Sequence, residues 1–172
     1  MASGAPPRAP KPVKLVAKPI PHGERGVLAR TLAKAGLPVD DVEEPGRFFW
    51  RFERSDQVPL GFGGLQIHGK EALLRSLLTL PPARKRGIGR GMVAVLEVEA
   101  LAAGAQRIWL LTMDAAPFFA QLGYAECARD KAPPAIQATE QWRSLCPAAA
   151  VAMCKQLPRP TRKRTPRLRT VK

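Results

Sequence analysis

The sequence has no long hydrophobic run and few cysteines. No apolar stretch among its 172 residues approaches the ~18 that a membrane-spanning helix needs, so we expect no membrane partner. The N-terminal residues MASGAPPR lack the apolar segment of a secretory signal peptide and a clear cleavage site, which predicts a cytoplasmic protein. The three cysteines, Cys127, Cys146 and Cys154, are an odd number without the spacing of metal ligands, so reduced thiols and no metal site are expected.

Acidic residues are scarce, 14 against 28 basic ones, and the excess of basic residues is unevenly distributed. Residues 1–21 carry four basic residues and residues 158–172 carry seven, and neither stretch has an acid. Eleven charges of the net +14 therefore lie near the two ends, and the middle of the chain is almost balanced. A strongly basic chain suggests a nucleic-acid partner, but this distribution predicts at most non-specific contacts made by the tails.

Composition and hydrophobic patterning divide the chain into one domain and two tails. Residues 1–12 are rich in Pro, Ala and Lys and residues 158–172 are basic, so both tails are expected to be disordered, while residues 13–157 suffice for one domain with a core. The glycines at 61, 63 and 64 indicate a bulge or a close backbone approach. The patterning predicts strands at 13–20, 47–54, 58–68, 71–80, 108–112, 124–128 and 149–157, and helices at 24–35, 87–104, 115–122 and 134–145.

The most informative segment is the glycine-rich basic loop 81–91, which lies between a predicted buried strand and a predicted helix. Unpaired N–H groups at a helix N-terminus bind phosphate, and glycines let a pyrophosphate come close to the main chain. The loop lacks the Gly-Lys-Ser/Thr ending of a P-loop, and its glycines run G-x-G-x-G rather than the G-x-G-x-x-G of dinucleotide-binding folds. From these residues alone, the loop is either a phosphate site or an ordinary basic turn.

Two segments resemble signatures of the GNAT superfamily of acetyltransferases. Arg84, Gly87 and Gly89 form an R-x-x-G-x-G pattern, and FFAQLGY at 118–124 is similar to the superfamily's aromatic-aromatic-x-x-Leu-Gly-aromatic segment. The resemblance implies an α/β GNAT fold, with a mixed, mostly antiparallel sheet of six to seven strands flanked by helices on both faces. It also implies acetyl-CoA as co-substrate, with direct attack by the acceptor amine in a ternary complex. The cofactor-binding residues that it implies are Leu77, Leu78, Thr79, Arg84, Lys85, Arg86, Gly87, Ile88, Gly89, Arg90, Phe118 and Phe119.

Shorter segments resemble one subfamily more closely. LRSL at 74–77, AIQAT at 135–139 and SLCP at 144–147 are similar to the second type of N-acetyltransferase found in arsenic-resistance operons. That resemblance implies detoxification by acetylation of a small, amino-acid-like toxin that contains arsenic or phosphorus. Acetylation of a protein or peptide amine is an alternative, as is a nucleic-acid-binding module that uses the basic tails on a vestigial fold. A monomer or a homodimer is expected.

The catalytic residues are less evident. Many GNAT members protonate the departing thiolate with a tyrosine, but Phe119 stands at the matching position, so we expect no tyrosine acid and assign Tyr124 to core packing. A thiol with a pKa near ~8.5 leaves readily without one. Glu71, at the start of the strand 71–80, is either a base acting through a water or a solvated strand-end acid. A main-chain N–H at Thr79 or its neighbours would polarise the thioester carbonyl.

The candidates for binding the acceptor are Arg75 and Thr112. Arg75 stands among leucines in mid-strand, where a buried guanidinium needs an anionic partner. That partner is either a buried acid, for instance Glu53, or the anionic end of the acceptor, which the planar guanidinium can bind through two hydrogen bonds. Cys146 and Cys154 are either small buried hydrophobic residues or soft ligands for trivalent arsenic.

Overall fold

The computed structural model of the chain describes residues 13–84 and 87–159. The predicted tails, 1–12 and 160–172, and the loop residues Lys85 and Arg86 lie outside the described residues. The strands are β1 (Leu15–Ile20), β2 (Arg47–Arg54), β3 (Pro59–His68), β4 (Glu71–Thr79), β5 (Arg107–Thr112), β6 (Ala125–Cys127) and β7 (Val151–Gln156). The helices are α1 (Gly26–Lys34), α2 (Ile88–Ala102), α3 (Ala116–Gln121) and α4 (Pro134–Gln137).

All seven strands belong to one sheet in the order β1-β2-β3-β4-β5-β7-β6. The first four follow one another as antiparallel neighbours, and β7 lies antiparallel between β5 and β6. The pairing of β4 with β5 is parallel. The mixed, mostly antiparallel sheet predicted from the sequence resemblance is therefore confirmed.

Helices cover both faces of the sheet because successive side chains of a strand point to opposite faces. On one face, α2 and α3 pack on Leu74 and Leu110 in the largest core cluster, with Met92 and Leu96 of α2 fully buried. On the other face, the neighbouring strand residues Leu73 and Trp109 form a second cluster with α4. A third cluster joins the apolar side of α1 to β2 and β3.

The three glycines of β3 make room for close packing. A Cβ atom at Gly61 would lie 2.3 Å from the carbonyl oxygen of Leu78, and one at Gly63 would lie 2.7 Å from Cδ1 of Leu96. At Gly64, a Cβ would lie 2.5 Å from the ring of Phe49. The register with β4 also shifts between Phe62 and Gly64, so both features indicated by the glycines, a bulge and a close backbone approach, are present.

The continuous helix predicted for residues 134–145 was wrong. Helix α4 ends at Gln137, and a π-helical turn, Gln141–Leu145, follows it. The hydroxyl of Thr139 donates to the carbonyl of Ile136 (2.8 Å) and accepts from the N–H of Trp142 (3.2 Å). These side-chain bonds take the place of helical ones and interrupt the ladder.

Among the described residues, no helix is long and apolar enough to span a membrane.

Candidate active site

The candidate active site is a cleft that opens where β4 separates from β5. The two strands are paired only from Glu71–Leu73 on β4 to Arg107–Trp109 on β5, and no register pair joins them beyond that point within their described lengths. The cleft has a volume of about 850 Å³. One half, next to the start of α2, is lined by Leu77, Thr79, Arg84, Gly87, Ile88, Gly89, Arg90, Phe118 and Phe119. We call this the cofactor half.

The other half, which we call the acceptor half, has two further walls. One is the segment between α1 and β2, which contributes Gly36, Leu37, Pro38 and Asp40, and the other is the segment after α4, with Gln141, Leu145, Cys146 and Pro147. Thr112 at the end of β5 also lines the cleft, although its hydroxyl already accepts a hydrogen bond from the N–H of Ala115 (3.0 Å). The sequence patterns predict the first wall segment as a connection, but they place Gln141 and Leu145 of the second segment in the helix 134–145.

A bulge in β4 turns the strand's main chain at the cleft. Ser76 has a φ of 55°, a left-handed conformation that is costly for a residue with a Cβ. Gly64 of β3 is aligned with Arg75 and Phe62 with Leu78, so two β4 residues face one β3 residue. The bulge consists of Ser76 and Leu77, opposite Gly63, and Leu78 and Thr79 follow it directly. Within β4 itself no sequence signal marks the bulge, because a glycine or asparagine would be the usual residue at a positive φ; the indication came from the glycines of β3.

The start of α2 has the features of a phosphate site. Gly87 precedes the helix with a φ of 71° and has no side chain to cap the first N–H groups. A Cβ at Gly89 would lie 3.3 Å from Cζ of Phe118 and 3.5 Å from Oγ1 of Thr79, in the space that these cleft residues share. Arg84 and Arg90 are exposed and line the same space. These residues therefore fit a pyrophosphate group; Lys85 and Arg86 lie outside the described residues.

The aromatic residues of the second signature pack together beside the cofactor half. The rings of Phe118 and Phe119 are 5.0 Å apart edge to face, and those of Phe119 and Tyr124 are 5.5 Å apart. Tyr124 is buried in the core and does not line the cleft, as predicted. Burial raises the pKa of Tyr124 far above its ordinary value, and the nearby Glu97 carboxylate adds to this effect. Its hydroxyl therefore stays protonated at physiological pH.

Arg75 is held in a buried ion pair with Asp41. Its Nη2 donates to Oδ1 of Asp41 (2.6 Å), its Nη1 donates to Oδ2, and its Nε donates to Oγ of Ser76 (3.4 Å). The side chain of Arg75 is 0% exposed, so its guanidinium offers no free surface to the cleft that the residue borders. The suggested partner Glu53 was wrong, because that carboxylate pairs with Lys18 and Arg51.

The Asp41 carboxylate also accepts hydrogen bonds from two other side chains, and the sequence analysis did not identify this residue. Nε of Arg47 lies 3.3 Å from its Oδ2 and Nε2 of Gln66 lies 3.5 Å away. Burial by itself would raise the pKa of Asp41, but the hydrogen bonds and charges of Arg75 and Arg47 outweigh burial and hold that pKa below its usual value. The sequence signal for Asp41 is its place in the acidic stretch 40–44, directly before Pro45 and Gly46.

The structure does not bring Glu71 to the cleft. Its carboxylate accepts a hydrogen bond from Nε1 of Trp109 (2.6 Å) at the paired end of β4 and β5, and it is absent from the cleft lining. The two candidate arsenic ligands also lie in different surroundings: Cys146 lines the cleft, while Cys154 packs with Cys127 in the second core cluster. Burial and the Cys154 thiol raise the pKa of Cys127 to about 11. Among the described residues, no cluster of three or more His, Cys, Asp and Glu could hold a metal ion.

Residues 21–124 match the acetyltransferase (GNAT) family. Because the match spans more than half of the chain and the described fold agrees with it, the chain belongs to the GNAT family of acetyltransferases. Members of that family use acetyl-CoA as the co-substrate. No curated protein matches the chain.

Solved structures share the fold at low sequence identity. N-acetylglutamate synthase from Neisseria gonorrhoeae, complexed with coenzyme A and N-acetyl-glutamate, aligns with a TM-score of 0.68 and 17% identity over 87% of this chain and 36% of the synthase. The chain thus spans about a third of the synthase's length. Rv2747 from Mycobacterium tuberculosis, in complex with CoA, aligns with a TM-score of 0.65 and 18% identity over 83% of this chain and 99% of that one. Nourseothricin acetyltransferase aligns with a TM-score of 0.50 and 18% identity over 67% and 68%.

Proposed function

We propose that the chain is an acetyl-CoA-dependent N-acetyltransferase that acts on the primary amine of a small acceptor. The observation that carries this proposal is the cleft between the separated strands β4 and β5, in which a helix start that fits a pyrophosphate and the acceptor half form one cavity. Acetyl-CoA supplies the acetyl group as an activated thioester. The chain's own residues bind and orient the two reactants, and such positioning can account for most of a rate enhancement.

The cofactor half binds through charge and main chain. The N–H groups of Ile88, Gly89 and Arg90 in the first turn of α2 and the guanidinium of Arg84 would hold the pyrophosphate. The main chain of Leu77 and Thr79, which line the cleft, would hydrogen-bond the pantetheine arm and donate an N–H to the developing oxyanion. Leu78 is paired with Phe62 of β3 and does not line the cleft. Because these hydrogen bonds involve the main chain, the side chains at these positions can vary.

The proton of the acceptor amine needs an acceptor in the other half of the cleft. Asp40 is an exposed carboxylate that lines the acceptor half, so we propose Asp40, directly or through a water, for the role first considered for Glu71. The thiolate leaving group needs no tyrosine, because thiols ionise near pH ~8.5. Phe119 accordingly contributes packing rather than a proton.

The narrower acceptor class that we propose is a small amino-acid-like toxin containing arsenic or phosphorus, which would make the reaction a detoxification. The sequence resemblance of 74–77, 135–139 and 144–147 supports it. The similar N-acetylglutamate synthase was crystallised with an acetylated amino acid, which supports an amino-acid acceptor more generally. Because Arg75 is already paired with Asp41, recognition of an anionic group by Arg75 would require that pair to open.

Acetyl transfer can be tested with a panel of amines. The purified chain is incubated with acetyl-CoA and either phosphinothricin, arsinothricin, glutamate, a lysine peptide or no amine, and acetylated products are identified by mass spectrometry. We expect acetylation of one of the toxin amino acids and none of the peptide; acetylation of the peptide alone would support the protein-acetyltransferase alternative. The control is Gly89→Val, whose side chain enters the space between Thr79 and Phe118 and should abolish acetyl-CoA binding in calorimetry. Failure of the unaltered chain to bind acetyl-CoA would reject the proposal.

A further inference from the structure

We propose that Asp41 and Arg75 are positioning residues whose ion pair fixes the β4 bulge, and so sets the main-chain groups that receive the thioester. This inference rests on the proposed function, because the positioned groups matter only for acetyl transfer. The hydrogen-exchange measurement that tests it does not depend on that function. Asp41 belongs to the segment between α1 and β2, whereas Arg75 belongs to the strand that borders the cleft. Their contact is therefore a connection between two walls of the same cavity.

The first step of the argument is the strained residue next to Arg75. Ser76 occupies a left-handed conformation, which persists in a folded protein only when surrounding contacts hold it. Nε of Arg75 donates to the hydroxyl of Ser76, and its two terminal nitrogens are engaged by Asp41. Because the guanidinium is held at three nitrogens, the backbone that carries it has little freedom.

The second step is the burial of the pair. The side chain of Arg75 is 0% exposed and that of Asp41 is 4% exposed, so water cannot replace either partner without a rearrangement. The ring of Phe49 lies 5.5 Å below the guanidinium and closes the remaining side. The acid also receives Arg47 and Gln66, which fix its own orientation.

The third step is the location of what the pair controls. Leu77 belongs to the bulge, and Leu78 and Thr79 come directly after it. All three lie on the part of β4 that is no longer paired with β5. Because this part of β4 is paired along one edge alone, β3 and the bulge determine its position. Loss of the pair should therefore shift or loosen 77–79 more than any other part of the sheet.

The chain offers a matched control for this inference. Glu53 of β2 is a second buried carboxylate. It pairs with Lys18 of β1 and Arg51 of β2, and it does not line the cleft. Both Asp41→Asn and Glu53→Gln remove one buried negative charge with little change of shape. Only the first removes the partner of a residue adjacent to the bulge.

Hydrogen exchange read by mass spectrometry on the full chain is the central test. For Asp41→Asn we expect amide exchange in the peptide 74–80 to rise about tenfold, because local opening of this segment becomes more populated, while exchange in α2 and β7 stays unchanged. Acetyl-CoA should bind about tenfold more weakly. For Glu53→Gln we expect neither change. Arg75→Lys, which keeps the charge but loses the fork, serves as the second variant should Asp41→Asn fail to fold.

Two results would overturn the inference. Uniformly faster exchange throughout the variant would show a general loss of stability, and unchanged exchange at 74–80 would show that the bulge holds without the pair. A third outcome, native exchange and acetyl-CoA affinity with a raised acceptor KM, would return Arg75 to the role of anion-binding residue. If the unaltered chain bound no acetyl-CoA, the proposed function would fail while the exchange experiment still decided the role of the pair.

Discussion

A glycine in the middle of β3 provides the sharpest test of how closely the sheet is packed. In Gly61→Ala, the added Cβ would lie 2.3 Å from the carbonyl oxygen of Leu78, about 1 Å short of ordinary contact, and 2.8 Å from Cε of Met92. The methionine can move aside, but the carbonyl belongs to the neighbouring strand. Overpacking of this kind costs ~1–3 kcal/mol, and a domain of this size loses roughly 2–4 °C in Tm per kcal/mol. We therefore expect Tm to fall by roughly 2–12 °C.

The matched control is the same substitution in a roomier place. At Gly26, the first residue of α1, a Cβ would meet only Nη1 of Arg30, at 3.4 Å, which is the end of a flexible side chain. Gly26→Ala should leave Tm unchanged or raise it slightly, because alanine favours a helix by up to ~1 kcal/mol. Both variants lower the entropy of the unfolded chain equally, so the difference between them reports the native contact. Equal shifts of Tm in parallel thermal melts would refute the packing argument.

Five further outcomes are expected. Phe119→Ala should cost about 3–5 kcal/mol in urea unfolding through lost packing, and the pH–rate profile should show no group ionising near pH ~10 because the pKa of Tyr124 is raised. The pKa of Asp41 is lower in the folded chain than in the unfolded chain. The ionised carboxylate therefore stabilises the fold fully at pH values above the unfolded pKa, and this stabilisation is lost as the pH falls through the folded pKa. In Asp41→Asn, the free energy of unfolding should depend less on pH in that window. Burial raises the pKa of Cys146 and outweighs the opposing effects of Gln141 and Arg129. At pH ~7, iodoacetamide should therefore react more slowly with Cys146 than it reacts with free glutathione. The Cys146→Ser variant is the control. Finally, a chain trimmed to residues 13–157 should melt within ~10 °C of the full chain; a larger drop would mean that a tail packs on the domain.

Much of the fold was predictable because it depends on the periodic spacing of hydrophobic residues and on the glycines and prolines that end helices and strands. Every predicted strand has a counterpart in the structure, and α2 starts directly after Gly87, as its glycine and the following apolar stripe indicate. The helix 134–145 could not be predicted correctly, because its interruption comes from the specific hydrogen bonds of Thr139. Periodicity carries no information on such local competition between side chain and backbone.

The site was predictable where a local motif defines it and unpredictable where distant segments meet. The loop around Gly87 and Gly89 was identified from adjacent residues. Asp41 and Arg75 are 34 positions apart, and nothing in either segment specifies the other as a partner. For the same reason, Glu71 was considered for a role at the cleft although its strand directs it to Trp109 at the opposite end.

The separation of β4 from β5 also changes how ligand binding and stability are related. Past Leu73 and Trp109, the facing edges of these strands carry main-chain donors and acceptors that no register pair between the two satisfies. The carbonyl of Thr79 accepts a hydrogen bond from Nε of Arg84 (3.2 Å). For the other groups, an extended ligand with its own amide groups could take the place of water, as an additional strand would. A ligand held in this way becomes part of the sheet's hydrogen bonding, so its binding should stabilise the strands on both sides of the gap together. The opening in the sheet is thus an incomplete element of secondary structure that binding completes.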